Sequence, residues 1–342
     1  MGMGGTFMET TLRRASLAST LLALTGLSAA WAAEPLAHTY SIVARDPTTG
    51  NFGVAVQSHW FQVGPVVPWA EAGVGAVATQ SFVRVDYGPR GLEAMRQGKS
   101  AEEALAALLA QDEGKDVRQV AMVDRQGRVA AWTGPKCIAA AGHQTGPGYS
   151  VQANLMDRPT VWPAMARAYE AATGDFAERL LAALEAAEAE GGDIRGRQSA
   201  ALLIVRAEAT GRSWEDRLVD LRVDDHSEPL AELRRLLSLH RAYDEMNRGD
   251  EALAAGRVEV ALGHYTRASE LAPGIAELPF WQAVTLFTSG QPEKALTLFA
   301  RVFAAEERWT RLVPRLPAAG LLPDDPEAVS RILSVAPKAG AP

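Results

Sequence analysis

Apolar positions recur along this chain in two rhythms. Residues 39–45 (TYSIVAR) and 51–58 (NFGVAVQS) are runs of β-branched, aromatic and small apolar residues on either side of Asp46-Pro47-Thr48-Thr49-Gly50. Side chains of the first kind suit a pleated sheet and Asp, Pro and Gly suit a turn, so the stretch predicts a hairpin with a longer loop. The returning run is small and apolar, as expected of a strand covered on both faces, and 73–79 (GVGAVAT) reads as a second such strand. The period then lengthens. Helices are expected over 87–97 and 100–109, the first ended by Gly98 and the second started by a Ser100/Glu103 capping box. Residues 117–124 and 128–133 predict another hairpin about Asp124-Arg125-Gln126-Gly127, with short strands around Ile138 and Val151.

Two further helices are expected over 160–172 and 175–190. Trp162, Met165, Ala166 and Tyr169 share one face of the first, and Asp175 with Glu178 is spaced as cap and partner for the second. Gly191-Gly192 stops that helix, and strands follow over 199–205 and 218–223. Strands, paired helices and more strands define a layered α/β or α+β domain. The pattern changes at Ser227, which is placed to cap a helix over 228–247 with Leu230, Leu233, Leu237 and His240 on one face. Beyond it Gly256, Ala261, Tyr265 and Ala268 recur 34 residues later as Gly290, Ala295, Phe299 and Val302. Glycine at the turn, alanine where helices touch and an aromatic plug at this period resemble tetratricopeptide repeats. Two repeats bury little by themselves, so the helix at 228 and the segment 306–315 are expected to cap them. Residues 317–342 carry little periodicity beyond a short helix at 326–333.

The start is different again. Arg13 and Arg14 precede an apolar run over 17–27 that ends in small residues, with Ala30-x-Ala32 as the cleavage signal. A basic region, short apolar core and small-residue site predict a secretory signal peptide, with a periplasmic or secreted product. The chain is thus divided into a leader (1–32), a layered domain (33–227), helical repeats (228–316) and a tail (317–342). A net charge of −7 without a basic cluster argues against nucleic acid and anionic membranes as partners. Cys137 is the only cysteine, so no intrachain disulfide exists, and a buried structural thiol is its expected role.

Five blocks, TYSIVARDPTTGNFGVAVQS, GPVVPWAEAGVGAVATQS, GPRGLEAM, GGDIRGRQSAALLIV and VDLRVDDH, together resemble the bacterial family of domain of unknown function 1028. That family is similar in fold to the N-terminal-nucleophile hydrolases. The resemblance therefore implies an α+β fold, a two-sheet sandwich between helical layers, here followed by an all-α tetratricopeptide-like segment.

Thr39 heads the first strand and is the first candidate for chemistry. A hydroxyl at the start of a chain attacks an amide with its own α-amine as base, whose pKa near 8 suits neutral pH. Signal cleavage after Ala32 leaves Ala33 to His38 ahead of it, so the amine requires a second cut at His38-Thr39. The lysine that proteasome-type members place on a following strand is missing, and Gln57-Ser58-His59 stands in that region. Gly191-Gly192-Asp193-Ile194-Arg195-Gly196-Arg197 is the second constellation: Asp193 orders a close-approaching loop and two arginines offer a bidentate grip on a carboxylate. Asp225, in Asp224-Asp225-His226, and His59 and His143, each expected in a loop after a strand, complete the catalytic candidates. Gln57, Ser58, Gln80 and Ser81 are expected to hold substrate. The bland alternatives are a strand threonine, a tight helix-to-strand connection and a polar turn.

No metal-spaced set such as HExxH exists, no glycine-started helix follows Gly73-x-Gly75, and neither metal nor cofactor is expected. Three functions fit. One is an exported amidohydrolase for small peptides or acylated amino acids, its repeats docking a protein partner. The second is a non-catalytic periplasmic ligand-binding protein. The third is an assembly scaffold working through the repeats.

Overall fold

The computed structural model describes residues 36–37 and 39–337, the first two as backbone only. The expected leader lies outside the described residues. Eleven strands form two antiparallel sheets: β1 (Leu36–Ala37), β2 (Thr39–Arg45), β3 (Phe52–Ser58), β4 (Pro68–Glu71), β5 (Gly75–Phe82), β6 (Arg118–Asp124), β7 (Val129–Thr133), β8 (Gly142–Gly146), β9 (Tyr149–Ala153), β10 (Ser199–Val205) and β11 (Arg217–Val223). One sheet runs β1-β5-β6-β7, with β4 also on β5; the other runs β11-β10-β3-β2-β9-β8. The hairpin forms as expected, with Thr39 opposite Ser58 and Arg45 opposite Phe52.

Side-chain alternation builds three apolar layers. Val43, Val54 and Val56 meet Ala76, Ala78, Ala121 and Val123 between the sheets. The other face of the six-stranded sheet (Tyr40, Ile42, Ala55, Val151, Leu202) packs on α3 (Val161–Ala171) and α4 (Phe176–Ala189). The outer face of the five-stranded sheet (Val77, Val120, Met122) packs on α1 (Tyr87–Arg96) and α2 (Ala101–Leu109). The order is helices, sheet, sheet, helices. Ser100 and Glu103 close the expected capping box, and Asp175 accepts from Glu178 N at 3.0 Å to start α4.

The tail begins with one long helix, α5 (Pro229–Ala254), and continues with α6 (Val258–Leu271), α7 (Glu277–Thr288), α8 (Pro292–Ala305) and α9 (Pro326–Leu333). Ser227 does not cap α5: Pro229 opens it, and the Glu228 N–H donates to His226 Nδ1 at 2.9 Å. The repeat positions share one role, since Ala261, Tyr265, Ala268, Ala295, Phe299 and Val302 are all buried in the helical core. Gly256 and Gly290 both take left-handed φ, at 72° and 81°, where each preceding helix ends. The first half of α5 belongs to the sheets: Leu230, Leu233 and Leu237 join the core that holds Val219 and Val223. Its second half, through Ala242, Met246 and Ala252, joins the tail. No helix among the described residues is long and apolar enough to cross a membrane.

Candidate functional site

The space between the sheets is apolar at one end and polar at the other. At the Thr39 end, alternation turns Thr39 and Ser41 of β2, Ser58 of β3, Gln80 of β5, Gln119 of β6, Thr133 of β7, Ser150 and Gln152 of β9, and Asn154 just past the end of β9 into the gap. Thr39 is fully buried and its Oγ1 donates to Ser58 Oγ at 3.1 Å. Its carbonyl accepts from Gln80 Nε2 at 3.0 Å and from Asn154 N at 3.1 Å. Ser41 Oγ donates to Gln80 Oε1 at 2.6 Å and accepts from Gln152 Nε2 at 2.6 Å. Gln119 Oε1 collects Gln80 Nε2 at 2.7 Å and Asn154 Nδ2 at 2.8 Å. Its Nε2 donates to Thr133 Oγ1 and Ala153 O, both at 2.9 Å. Thr133 Oγ1 in turn shares a hydrogen bond with His143 Nδ1 at 2.8 Å. These side chains are amides and hydroxyls, so the layer binds by hydrogen bonds and offers no charged base.

Backbone strain gathers at the same end. The non-glycine residues with left-handed φ among those described are Gln62 (56°), Ser81 (73°) and Leu155 (59°). Gln62 lies four residues past Ser58, Ser81 next to Gln80, and Leu155 next to Asn154. Strain of this kind persists where surrounding contacts over-determine the chain and is concentrated at functional sites.

The remaining candidates fall in several places. Gln57 and Ser81 do not face the layer, because each sits one residue out of phase with Ser58 and Gln80. Gln57 points to the helical side, fully buried, and neither amide atom has a hydrogen-bond partner. His143 lies within β8, not in a loop after a strand, and touches the layer only through Thr133. Although the residue is exposed overall, partial desolvation of the ring holds its pKa below the ordinary value. Ile138 is in a loop, and the expected strand there is β8, four residues on. His59 N donates to Asp193 Oδ2 at 3.3 Å, which ties the end of β3 to the glycine loop.

That loop is closed on itself. Asp193 is 4% exposed and takes Arg195 Nε at 3.0 Å and the Arg195 backbone N at 2.9 Å. Arg197 is clasped by Glu188 and Glu228, with Nε 2.5 Å from Glu188 Oε1. The carboxylates expected from a substrate are supplied by the chain itself, so the pair is not a vacant grip. Gly191, Gly192 and Gly196, at φ of 112°, 59° and 107°, make the turns that allow this. Asp225 accepts from Gln198 Nε2 at 3.2 Å on an exposed turn and does not reach the Thr39 layer. Among the described residues no group of three or more His, Cys, Asp or Glu is arranged to hold a metal. Burial pushes the Cys137 thiol up, and its Sγ donates to Arg118 O at 3.3 Å.

Two surface clefts, about 340 and 320 Å³, lie elsewhere. One is between α1 and α2, and the other is where the 46–51 turn meets the start of α4. Thr39 lines neither.

Residues 39–233 match the family of unknown function DUF1028, and the chain belongs to that family. The crystal structure of protein SPO2555 from Silicibacter pomeroyi, assigned to the same family, is similar at 33% identity and a TM-score of 0.53. The similarity covers 58% of this chain and 84% of that one. A search of curated proteins finds no match. The matched region ends inside α5, at the helix where the two cores meet.

Proposed function

We propose that the chain is an exported amide hydrolase of the N-terminal-nucleophile type, acting on small peptides or acylated amino acids, with Thr39 as nucleophile. The observation that carries this reading is Thr39 at the head of an inner strand, its hydroxyl turned into a buried, uncharged polar layer between two sheets. Such a layer holds an amide by hydrogen bonds while the base comes from elsewhere. After a cut at His38-Thr39 the base is the Thr39 amine. It takes the Oγ1 proton as the oxygen bonds the substrate carbonyl carbon; the leaving amine departs with that proton, and water then frees the acyl group. The helical tail, with its 34-residue period, is the tetratricopeptide-like part that docks a protein partner.

One observation favours a second, non-catalytic reading for the uncut chain. Leu36 and Ala37 pair with Phe82 and Ser81 of β5, so the chain continues upstream of Thr39 and its nitrogen is an amide. In that form the protein is a binding module with a structural threonine. The test is turnover of small peptide and acyl-amino-acid amides by the processed protein. Thr39→Ser is expected to retain part of the rate and Thr39→Val none, both folded. Full activity in folded Thr39→Val contradicts the proposal.

A further inference from the structure

β11 is the last strand of the six-stranded sheet, paired with β10 on one side and with no strand among the described residues on the other. Its backbone is engaged beyond that ladder at both ends. The Leu218 carbonyl accepts from His240 Nε2 at 2.9 Å, and the Asp224 carbonyl accepts from Gln62 N at 3.1 Å. Between them, among the described residues, Val219 to Val223 make no backbone hydrogen bond outside the β10 ladder. Such an open run is a template for another strand.

The run is self-complementary about its centre. A second copy, turned by half a turn about an axis through Leu221 and perpendicular to the sheet, sets Leu221 opposite Leu221 and Val219 opposite Val223. It also sets Asp220 opposite Arg222, twice. The nearest registers that keep the pleat, two residues either way, set Asp220 against Asp220 or Arg222 against Arg222. Within one copy Asp220 Oδ1 holds Arg222 Nε at 3.0 Å, so acid and base lie on one face of the strand. Charges on an edge ordinarily keep strands apart; here they select a single register, and it is the one that uses the whole open run.

On the other face Val219 and Val223 pack with Leu230, Leu233 and Leu237 of α5, which also covers Ala200 and Leu202 of β10. Arg234 and Arg241 reach from α5 to Glu185 and Glu178 of α4, over the inner strands. Leu236 and Leu239 stand two residues from those arginines, about 200° around the helix, so they turn outward past β11, where both are half-buried. Strands paired at about 5 Å bring the α5 helices of two copies to about 10 Å, the spacing at which helices pack, with these leucines between them.

We infer that β11 is the contact of a symmetric dimer: a second copy of this chain adds its own β11, antiparallel about Leu221, and the two six-stranded sheets become one continuous sheet. The contact is the same on both copies and closes on itself, so it does not propagate.

Sedimentation velocity on the full mature chain tests this, with a dimer expected that dissociates on dilution. Asp220→Arg sets arginine opposite arginine at both charge pairs, and Arg222→Asp sets aspartate opposite aspartate. Each alone is expected to weaken the dimer about tenfold or more, and the two together to restore it, since opposite signs face each other again. Both residues are at the surface, and circular dichroism checks that the variants stay folded. Leu221→Cys reads the register: on oxidation it is expected to form a covalent dimer that the parent, with Cys137 alone, does not. Directly opposed residues in either type of antiparallel pair lie within disulfide reach. A monomer at every concentration overturns the proposal. So does a dimer that keeps its affinity in both single charge variants, a folded double variant that stays monomeric, or a folded Leu221→Cys protein without the cross-link.

Discussion

Gln119, like Gln80, ties both sheets together at the Thr39 end, and replacing it with Leu tests whether the layer is a satisfied network. The substitution keeps roughly the side-chain volume and removes five hydrogen bonds at once, the longest of them to Gly142 O at 3.2 Å. Gln80 Nε2 and Asn154 Nδ2 lose their acceptor at 2.7 and 2.8 Å, and Thr133 Oγ1 and Ala153 O lose a donor, both at 2.9 Å. Gln80 and Asn154 retain the Thr39 carbonyl at 3.0 and 3.4 Å, and Thr133 keeps its hydrogen bond with His143. Each of these groups is thus weakened and not wholly orphaned. At about 1–3 kcal/mol for a buried group left without its partner, and discounting for the bonds retained, the loss is about 3 kcal/mol. For a domain of this size that lowers the melting temperature by about 6–12 °C. Thermal and urea unfolding followed by circular dichroism measures it. A Gln119→Leu protein within about 1 kcal/mol of the parent refutes the network, because an apolar replacement is harmless only where the amide was not needed.

Three more outcomes follow from the packing. Burial pushes the Asp112 carboxyl up, but the Arg118 guanidinium at 2.9 Å and the Gly114 N–H outweigh it, so its folded pKa lies below the usual carboxylate value. That stabilisation is present above the unfolded pKa of about 3.9 and is lost as pH falls through the folded one; the deficit of Asp112→Asn in urea melts at pH 7 should therefore close on acidification below that range. A Cβ at Gly53 would stand 2.6 Å from Leu180 Cδ1 and 2.8 Å from Phe176, so Gly53→Ala should destabilise by about 1–3 kcal/mol in the same assay. A chain ended after Ser227 uncovers Val219 and Val223, since Leu230, Leu233 and Leu237 of α5 pack in their core; it should aggregate or melt far below the intact protein, and an unchanged melting temperature would contradict the shared helix.

The alternating apolar runs made most of the strands readable in the sequence, because TYSIVAR and SAALLIV carry their burial in their composition. The caps at Ser100 and Asp175 were equally legible, being local hydrogen bonds between residues a turn apart. β8 was not. Its sequence GHQTG has no apolar rhythm, and the strand exists because its glycines let partners come close: a Cβ at Gly142 would meet Trp162 at 2.5 Å, and one at Gly146 would meet Tyr149 at 2.2 Å. The polar layer was half visible. Thr39, Ser58 and Gln80 drew attention, while Ser41, Gln119, Thr133, Gln152 and Asn154 did not, though Ser150, Gln152 and Asn154 recur at the strand period. Polar residues at that period ordinarily mark a wet face, and only the second sheet turns this face inward. Phase also separates Ser58 from Gln57, and that becomes certain only with the register. In the arginine loop the pairing of Arg195 with Asp193 and of Arg197 with Glu188 is local, while Glu228 comes from 31 residues away and only the fold brings it to Arg197.

The central claim is that a processed chain begins at Thr39, and one measurement addresses it directly. The intact mass of the exported protein, taken on the same sample that hydrolyses a small acyl-amino-acid amide, reports the first residue. The account predicts a mass that starts at Thr39, with turnover rising as the species that begins at Ala33 disappears. Undiminished turnover in a sample that begins uniformly at Ala33 contradicts it, because the lone pair of an acylated Thr39 nitrogen is delocalised into its carbonyl and does not serve as base.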